Sequence, residues 1–126
     1  MTTYRVEVHA SFEAAHHLLL YRGRPEPNHG HTWRVSVALT ADRLDEEGMV
    51  FDFVAARAAL TELTTRFDHG DINQVPPFDR TSPTTERLAE WFCREMQGRL
   101  PAAQVEAATV WEGPHAAATF SLRAER

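Results

Sequence analysis

Two segments of alternating hydrophobicity, separated by a loop that resists regular structure, constrain the fold of this chain most. In TYRVEVHASF, residues 3–12, apolar side chains alternate with charged or polar ones, and TWRVSVALTA, residues 32–41, repeats the alternation. A period of two is typical of a strand with one buried face. The intervening YRGRPEPNHG, residues 21–30, holds two prolines, which remove backbone donors and restrict their neighbours. We therefore predict a strand, an irregular loop and a second strand.

Two amphipathic helices and two further strands complete the predicted order. The helices are FVAARAALTELTTRF, residues 53–67, and TTERLAEWFCREMQGRL, residues 84–100, with Asp52 as a suitable cap for the first. The strands are QVEAATVWEG, residues 104–113, and AATFSLRAE, residues 117–125. Amphipathic helices need a sheet face to cover, and short connections favour antiparallel neighbours. The sequence predicts one α+β domain over residues 1–126, a four-stranded antiparallel sheet with both helices on one face.

Composition excludes several classes of function. The chain has 126 residues and a formal net charge of -5 without a basic stripe, so a nucleic acid is not an expected partner. No apolar run approaches the roughly 20 residues that cross a bilayer, so we expect no membrane association. The single cysteine, Cys93, and the lack of a signal-like N-terminus favour a reducing cytoplasm. A domain of this size does not obviously enclose a deep active site, which favours sites shared between subunits.

Histidines indicate a metal site. His29 and His31 are two residues apart on a strand and therefore point to one face. An antiparallel hairpin would return the end of the preceding strand, which offers His16 and His17, beside them. Three imidazoles without a cysteine suit zinc with an open coordination position, as in catalytic sites. The alternative is that His16 or His17 packs and caps the strand.

Several more polar residues carry weaker signals. Asp68 and His69 follow the first helix, where a carboxylate can orient an imidazole as a proton shuttle. A helix terminus followed by a turn at Asp68 or Asn73 explains the same residues without catalysis. Glu112 ends a strand, where its carboxylate can accept two N–H donors from a heterocycle, although by itself the residue is better interpreted as solvated.

Taken together, these motifs resemble a known family. The motifs are, in chain order, FEAAH, HGH, DF at the start of the first helix, DH and Asn73 after it, PTTE and a late WE. In this order, and over nearly the whole chain, they are similar to the 6-pyruvoyl-tetrahydropterin synthase and 6-carboxy-tetrahydropterin synthase family. The resemblance implies the tunnelling fold, in which trimers close their sheets into a barrel and two trimers stack into a homohexamer. Subunits of such a hexamer share their active sites.

The resemblance also implies roles for individual residues. It implies a Zn²⁺ ion on His16, His29 and His31, with His17 a neighbour. The remaining matches are a catalytic pair, Asp68 and His69, a pterin-anchoring carboxylate, Glu112, and pterin-pocket residues on the second helix, Thr85 and Glu86.

One position departs from the family pattern. The pyruvoyl and carboxy enzymes have a cysteine in the loop before HGH, whereas this loop has Glu26 and Cys93 lies in a helix. The arrangement is similar to a subfamily that cleaves the side chain of 7,8-dihydroneopterin triphosphate to 6-hydroxymethyl-7,8-dihydropterin, a folate precursor. We predict Glu26 as the catalytic base, since a partly dry carboxylate beside zinc can remove a hydroxyl proton.

The sequence also permits different roles for Glu26 and different activities for the chain. Glu26 can be an exposed loop acid between Arg22 and Arg24, which are themselves candidates for meeting the triphosphate. The first rival activity is 6-carboxy-5,6,7,8-tetrahydropterin synthase of the 7-deazaguanine (queuosine) pathway, or 6-pyruvoyl-tetrahydropterin synthase. The chain can also be a non-catalytic protein that binds pterin or purine, or a structural metal module.

Overall fold

A long antiparallel hairpin forms the centre of the sheet. Its strands are β1 (Tyr4–His16) and β2 (His29–Ala41), paired from Tyr4 opposite Ala41 to His16 opposite His29 in a computed structural model that describes residues 3–122. Both strands reach further toward the proline-containing loop than the alternation alone predicts. The extension matters because it brings His16 directly opposite His29.

Three more strands complete the sheet. β3 (Gly70–Asp71) pairs in parallel with β1, whereas β4 (Gln104–Glu112) is antiparallel to β2 and β5 (Ala117–Ser121) is antiparallel to β4. The spatial order is β3-β1-β2-β4-β5. The four predicted antiparallel strands are confirmed, and β3 is an addition, because two residues are too short to produce a periodic pattern. Residues 123–125 of the last predicted strand lie outside the described part of the chain.

Both predicted helices form. They are α1 (Phe53–Thr65) and α2 (Thr85–Arg99), and a short 3-10 helix, Ile72–Gln74, lies between them. Asp52 caps α1 by accepting a hydrogen bond from the N–H of Val54 at 2.9 Å, which satisfies a donor left free in the first turn. Within residues 3–122, no helix has the length and apolarity to span a bilayer.

The core lies between the two helices and one face of the sheet. Alternate side chains of β1, β2 and β4 meet the apolar stripes of α1 and α2, and the fully buried members include Phe12, Trp33, Val35, Leu39, Leu60, Leu63, Leu88, Phe92 and Val110. Phe53, the first residue of α1, is 50% exposed because it starts the helix at the edge of the core.

The opposite face of the sheet is polar. Glu7 of β1 accepts a hydrogen bond from the Ser36 hydroxyl of β2 at 2.9 Å and lies 3.1 Å from His9 Nε2. The bonds from His9 and Ser36 lower the pKa of the Glu7 carboxyl, because they favour its charged form. The helices thus cover one face only, and we call the other the open face.

Candidate functional site

Three imidazoles meet at the end of the central hairpin. His16 ends β1, His29 begins β2 opposite it, and His31 follows two residues later on the same face. Each ring contributes one nitrogen to a group whose members all lie within 4.8 Å of one another. We call these residues the histidine cluster. The structure thus brings together the three predicted metal ligands, whereas His17 follows the end of β1 and is not part of the group.

Two prolyl carbonyls select the nitrogen that faces the centre of the cluster. The Nδ1 of His16 donates to the Pro83 carbonyl at 3.0 Å, and the Nδ1 of His29 donates to the Pro27 carbonyl at 2.9 Å. A carbonyl oxygen can only accept, so these bonds hold the proton on Nδ1 and leave the lone pair on Nε2. Metal-binding histidines are commonly oriented in this way.

Orphaned nitrogens in the cluster fit a metal ion. Within residues 3–122, the Nε2 atoms of His16 and His31 are buried and have no hydrogen-bond partner. A buried polar atom without a partner is costly, and a coordinated cation would satisfy both atoms. Burial also lowers the pKa of His16, which favours the neutral ring that a metal requires. The donor set suits zinc, since three imidazoles leave one tetrahedral position for another ligand.

Glu112, at the end of β4, brings a carboxylate to the cluster. Its two oxygens lie 3.4 Å from His16 Nε2 and 3.5 Å from His31 Nε2. The hydroxyl of Thr85, the first residue of α2, donates to Oε2 of the same carboxylate at 3.3 Å. With the His16 proton held on Nδ1, its Nε2 has no hydrogen to donate, so the Glu112 carboxylate lies beside the cluster without a hydrogen bond to this nitrogen.

Glu86 is the outlying member of the predicted site. It follows Thr85 in the first turn of α2 and is exposed. Within residues 3–122, no hydrogen bond or ion pair joins it to the histidine cluster or to Glu112.

Glu26 lies at the rim of the histidine cluster. Its Oε1 accepts a hydrogen bond from the N–H of Leu18 at 2.9 Å and lies 3.7 Å from His29 Nε2. The backbone N–H of Glu26 donates to the Leu18 carbonyl at 3.1 Å, so backbone and side chain are both fastened to the end of β1. The side chain is only 18% exposed, which argues against a freely solvated loop acid. Cys93, in contrast, is buried in the core side of α2.

Asp68 and His69 form a second group. One carboxylate oxygen of Asp68 accepts from the N–H of Glu13 at 2.9 Å, and the other lies 3.1 Å from His69 Nδ1. His69 adopts a φ of 59° and donates its backbone N–H to the Glu13 carbonyl. A left-handed conformation is uncommon outside glycine and persists where the surroundings fix it. The hydrogen bond from Glu13 is the main cause that lowers the pKa of Asp68, with His69 adding to it.

The second group faces away from the first. Side chains of Asp68 and His69 are 42% and 80% exposed, and no contact joins either of them to the histidine cluster in the described chain. His69 and His31 do border one open depression of about 420 Å³, which Ala15 and Gly30 also line. The structure therefore divides the predicted catalytic residues between two places.

Sequence reasoning missed the residues that hold the site together. Pro83, Pro27 and Glu13 act through backbone atoms, and Asn73, predicted only as a turn residue and as part of the family motif, bonds the backbone of His17. Backbone donors and acceptors carry no residue-type signal, so no pattern in the sequence would have identified the first three.

Comparison with known proteins matches this chain with tetrahydropterin synthases. A family model described as 6-pyruvoyl tetrahydropterin synthase matches residues 5–123. The 6-carboxy-5,6,7,8-tetrahydropterin synthase of Synechocystis sp. is 37% identical over 92 residues, which cover 69% of this chain and 70% of that protein.

Solved structures share the fold. The 6-pyruvoyl tetrahydropterin synthase of Caenorhabditis elegans has a TM-score of 0.84 at 23% identity, covering 96% of each chain. A catalytic-residue variant of the Plasmodium vivax synthase, in which a glutamate is changed to alanine, has a TM-score of 0.78 at 19% identity, covering 95% of this chain and 98% of that one. The predicted tunnelling fold is confirmed. By the extent of the family match, the chain belongs to the 6-pyruvoyl tetrahydropterin synthase family.

Proposed function

We propose that this protein is a zinc-dependent lyase that converts 7,8-dihydroneopterin triphosphate to 6-hydroxymethyl-7,8-dihydropterin. One observation carries the proposal: the Glu26 carboxylate lies 3.7 Å from His29 Nε2, while the chain's cysteine is buried in the core. A carboxylate is a suitable base for a hydroxyl proton, so the position favours cleavage that starts at an oxygen.

The proposed reaction is a retro-aldol cleavage. Glu26 removes the proton from the hydroxyl on the second side-chain carbon, and the bond between the first and second carbons breaks as that hydroxyl becomes an aldehyde. The electron pair passes into the conjugated ring system, and the first carbon takes up a proton. The products are 6-hydroxymethyl-7,8-dihydropterin and a two-carbon aldehyde that retains the triphosphate.

His16, His29 and His31 are the residues that would hold zinc. The ion would supply Lewis acidity toward the side-chain oxygens of the substrate. The prolyl carbonyls keep the Nε2 lone pairs of His16 and His29 available. The hydrogen bond from Leu18 to Glu26 keeps the carboxylate turned toward the rim of the cluster.

Glu112 is proposed to anchor the pterin ring. Its carboxylate can accept two N–H groups of the heterocycle, and the Thr85 hydroxyl restrains one of its oxygens. Thr85 and Glu86 open α2 beside it and are proposed to complete the ring pocket.

Asp68 and His69 are proposed to relay a proton in a site shared between subunits. Their separation from the histidine cluster within one chain, and their exposure toward the open face, support this role. We propose the homohexamer, a dimer of trimers, as the assembly that brings the pair to a neighbouring cluster.

The glutamate named as a catalytic residue in the Plasmodium vivax synthase is a precedent for a carboxylate in this chemistry.

A second candidate function is 6-carboxy-5,6,7,8-tetrahydropterin synthase, the activity of the Synechocystis relative. It would require a base other than a cysteine for proton abstraction at carbon. A non-catalytic pterin-binding protein is the third candidate.

The deciding experiment is an anaerobic incubation of the zinc-loaded protein with 7,8-dihydroneopterin triphosphate, followed by mass spectrometry of all products. We expect 6-hydroxymethyl-7,8-dihydropterin with a stoichiometric two-carbon phosphorylated aldehyde. A 6-carboxy product with acetaldehyde would establish the second candidate instead. Absence of turnover, with retained affinity for a plain pterin, would establish the third.

A further inference from the structure

The segment that joins the histidine cluster to Glu26 is held by the side chain of Asn73. Asn73 lies in the 3-10 helix that follows β3 and is 7% exposed. Its Oδ1 accepts from the N–H of His17 at 2.9 Å, and its Nδ2 donates to the His17 carbonyl at 3.0 Å. One carboxamide therefore bonds both peptide groups that flank His17, immediately after the ligand His16.

The second of these peptide groups also contacts Glu26. It consists of the His17 carbonyl and the Leu18 N–H, and the Leu18 N–H donates to Glu26 Oε1 at 2.9 Å. Asn73 thus holds the carbonyl end of a peptide whose N–H end holds the carboxylate. Because a peptide group is planar, fixing its oxygen also fixes the direction of its N–H. Hydrogen bonds in such a chain also polarise one another.

Asn73 is itself firmly placed. The Asp71 side chain accepts from the backbone N–H of Asn73 at 2.9 Å, and β3 attaches the segment to β1 at Ala14 and Ala15. A rigid support of this kind is what accurate placement of a catalytic group requires, since a displacement of about 1 Å can lower a rate about 100-fold.

We infer that Asn73 is a positioning residue for this site: through the peptide between His17 and Leu18, it sets the orientation of the Glu26 carboxylate. The inference rests on the proposed function, in which Glu26 is the base. Asn73 itself is not among the candidate metal ligands, and its side chain bonds the backbone of His17.

The test is a double-mutant cycle with Asn73→Ala and Glu26→Gln, measured as steady-state turnover of 7,8-dihydroneopterin triphosphate. We expect Asn73→Ala alone to lower kcat about 10- to 100-fold with little change in KM and unchanged zinc content. In the Glu26→Gln background we expect a further loss of less than about 2-fold, because the carboxylate through which Asn73 acts is gone.

Gln97 provides a matched control. Its amide also bonds the backbone in both senses, accepting from Val105 N–H at 3.0 Å and donating to the Ala103 carbonyl at 2.8 Å, but it lies at the far end of α2. Gln97→Ala should lower the melting temperature as Asn73→Ala does and leave kcat unchanged. Asn73→Asp is the second variant should Asn73→Ala not fold, because it keeps the volume and the acceptor but loses the donor to the His17 carbonyl.

The outcomes separate the two claims. If Glu26→Gln lowers turnover strongly and Asn73→Ala lowers the remaining turnover by the same factor as in the parent, Asn73 acts independently and the inference is overturned while the proposed function stands. If Glu26→Gln retains full turnover, the role of Glu26 and the inference fail together. A kcat loss that disappears in the Glu26→Gln background, and that Gln97→Ala lacks, supports both.

Discussion

At the scale of single residues, hydrogen bonds to backbone atoms govern the chemistry of the site. The carbonyls of Pro83 and Pro27 choose the free nitrogen of two histidines, and the Leu18 N–H holds the carboxylate of Glu26. None of these partners contributes a functional group of its own. Their effect depends on the distances and directions that the fold gives to these donors and acceptors, because a hydrogen bond requires both to lie within narrow limits.

Glu26→Gln tests the proposed base directly. The amide keeps an oxygen for the Leu18 N–H but cannot accept a proton, so kcat should fall about 10²- to 10⁴-fold while zinc content stays unchanged. Product formation and metal analysis on the same preparation measure both. Glu47→Gln, at an exposed loop carboxylate, is the control and should behave like the parent protein. Full turnover in Glu26→Gln would remove this residue from the mechanism.

The Asp68 carboxyl gives a pH-dependent prediction. Its pKa in the folded protein lies below the ordinary value of 3.8, mainly because it accepts the hydrogen bond from the Glu13 N–H. A lowered pKa means that the carboxylate stabilises the fold above the unfolded value, and that this contribution is lost as the pH falls through the folded value. The free-energy difference of unfolding between the parent and Asp68→Asn should therefore be constant near neutral pH and shrink below about pH 4.

Urea titrations of the two proteins at a series of pH values measure that difference. Asp79→Asn, at an exposed carboxyl, is the control. A difference between the parent and Asp68→Asn that does not change down to about pH 3 would contradict the prediction.

At the scale of elements, chain ends position the site. β1 ends at His16, β2 begins at His29, α2 begins at Thr85 and β4 ends at Glu112, and these four ends meet. Side chains at the ends of elements can converge on a ligand without disturbing the ladders and helices behind them. The core on the helix side of the sheet keeps these ends in register.

Asp52→Ala tests whether an element far from the site can be weakened alone. Loss of the cap on Val54 should lower the free energy of unfolding by about 1 kcal/mol. Zinc content and turnover should not change, since α1 contributes no residue to the histidine cluster. Chemical denaturation measures the loss of stability, and the product assay measures the turnover. Asp52→Asn is the control and should restore most of the stability, because asparagine is also a good cap.

At the scale of the whole molecule, one chain holds its proposed catalytic groups in two separate places. Asp68 and His69 face the open side of the sheet, away from the histidine cluster, and β3 covers the edge of β1 only at Ala14 and Ala15. The remaining edge of β1 and the outer edge of β5 have no strand partner among residues 3–122. Such edges invite pairing with other copies, in keeping with the proposed hexamer.

Subunit complementation tests the shared site. Glu26→Gln and His69→Ala should each retain only a small fraction of the parent turnover as pure assemblies. Hexamers formed by co-refolding the two variants should regain activity, because some sites then combine Glu26 of one subunit with His69 of another. Sedimentation measures the assembly, and the product assay measures the recovery. If mixed hexamers form and stay inactive, both groups act within one subunit.

The alternating and helical periods of the sequence determined the order of the four main strands, both helices and the Asp52 cap, and the residue types of the candidate metal site. These features depend on local spacing, and strand alternation alone places His29 and His31 on one face. Tertiary structure decided that His16 faces the cluster, that Glu26 is held at its rim, and that Asp68 and His69 lie elsewhere. It also added β3 and the role of Asn73. Apart from the local bond between Leu18 and Glu26, these features rest on hydrogen bonds between segments distant along the chain, whose geometry depends on how the whole core packs.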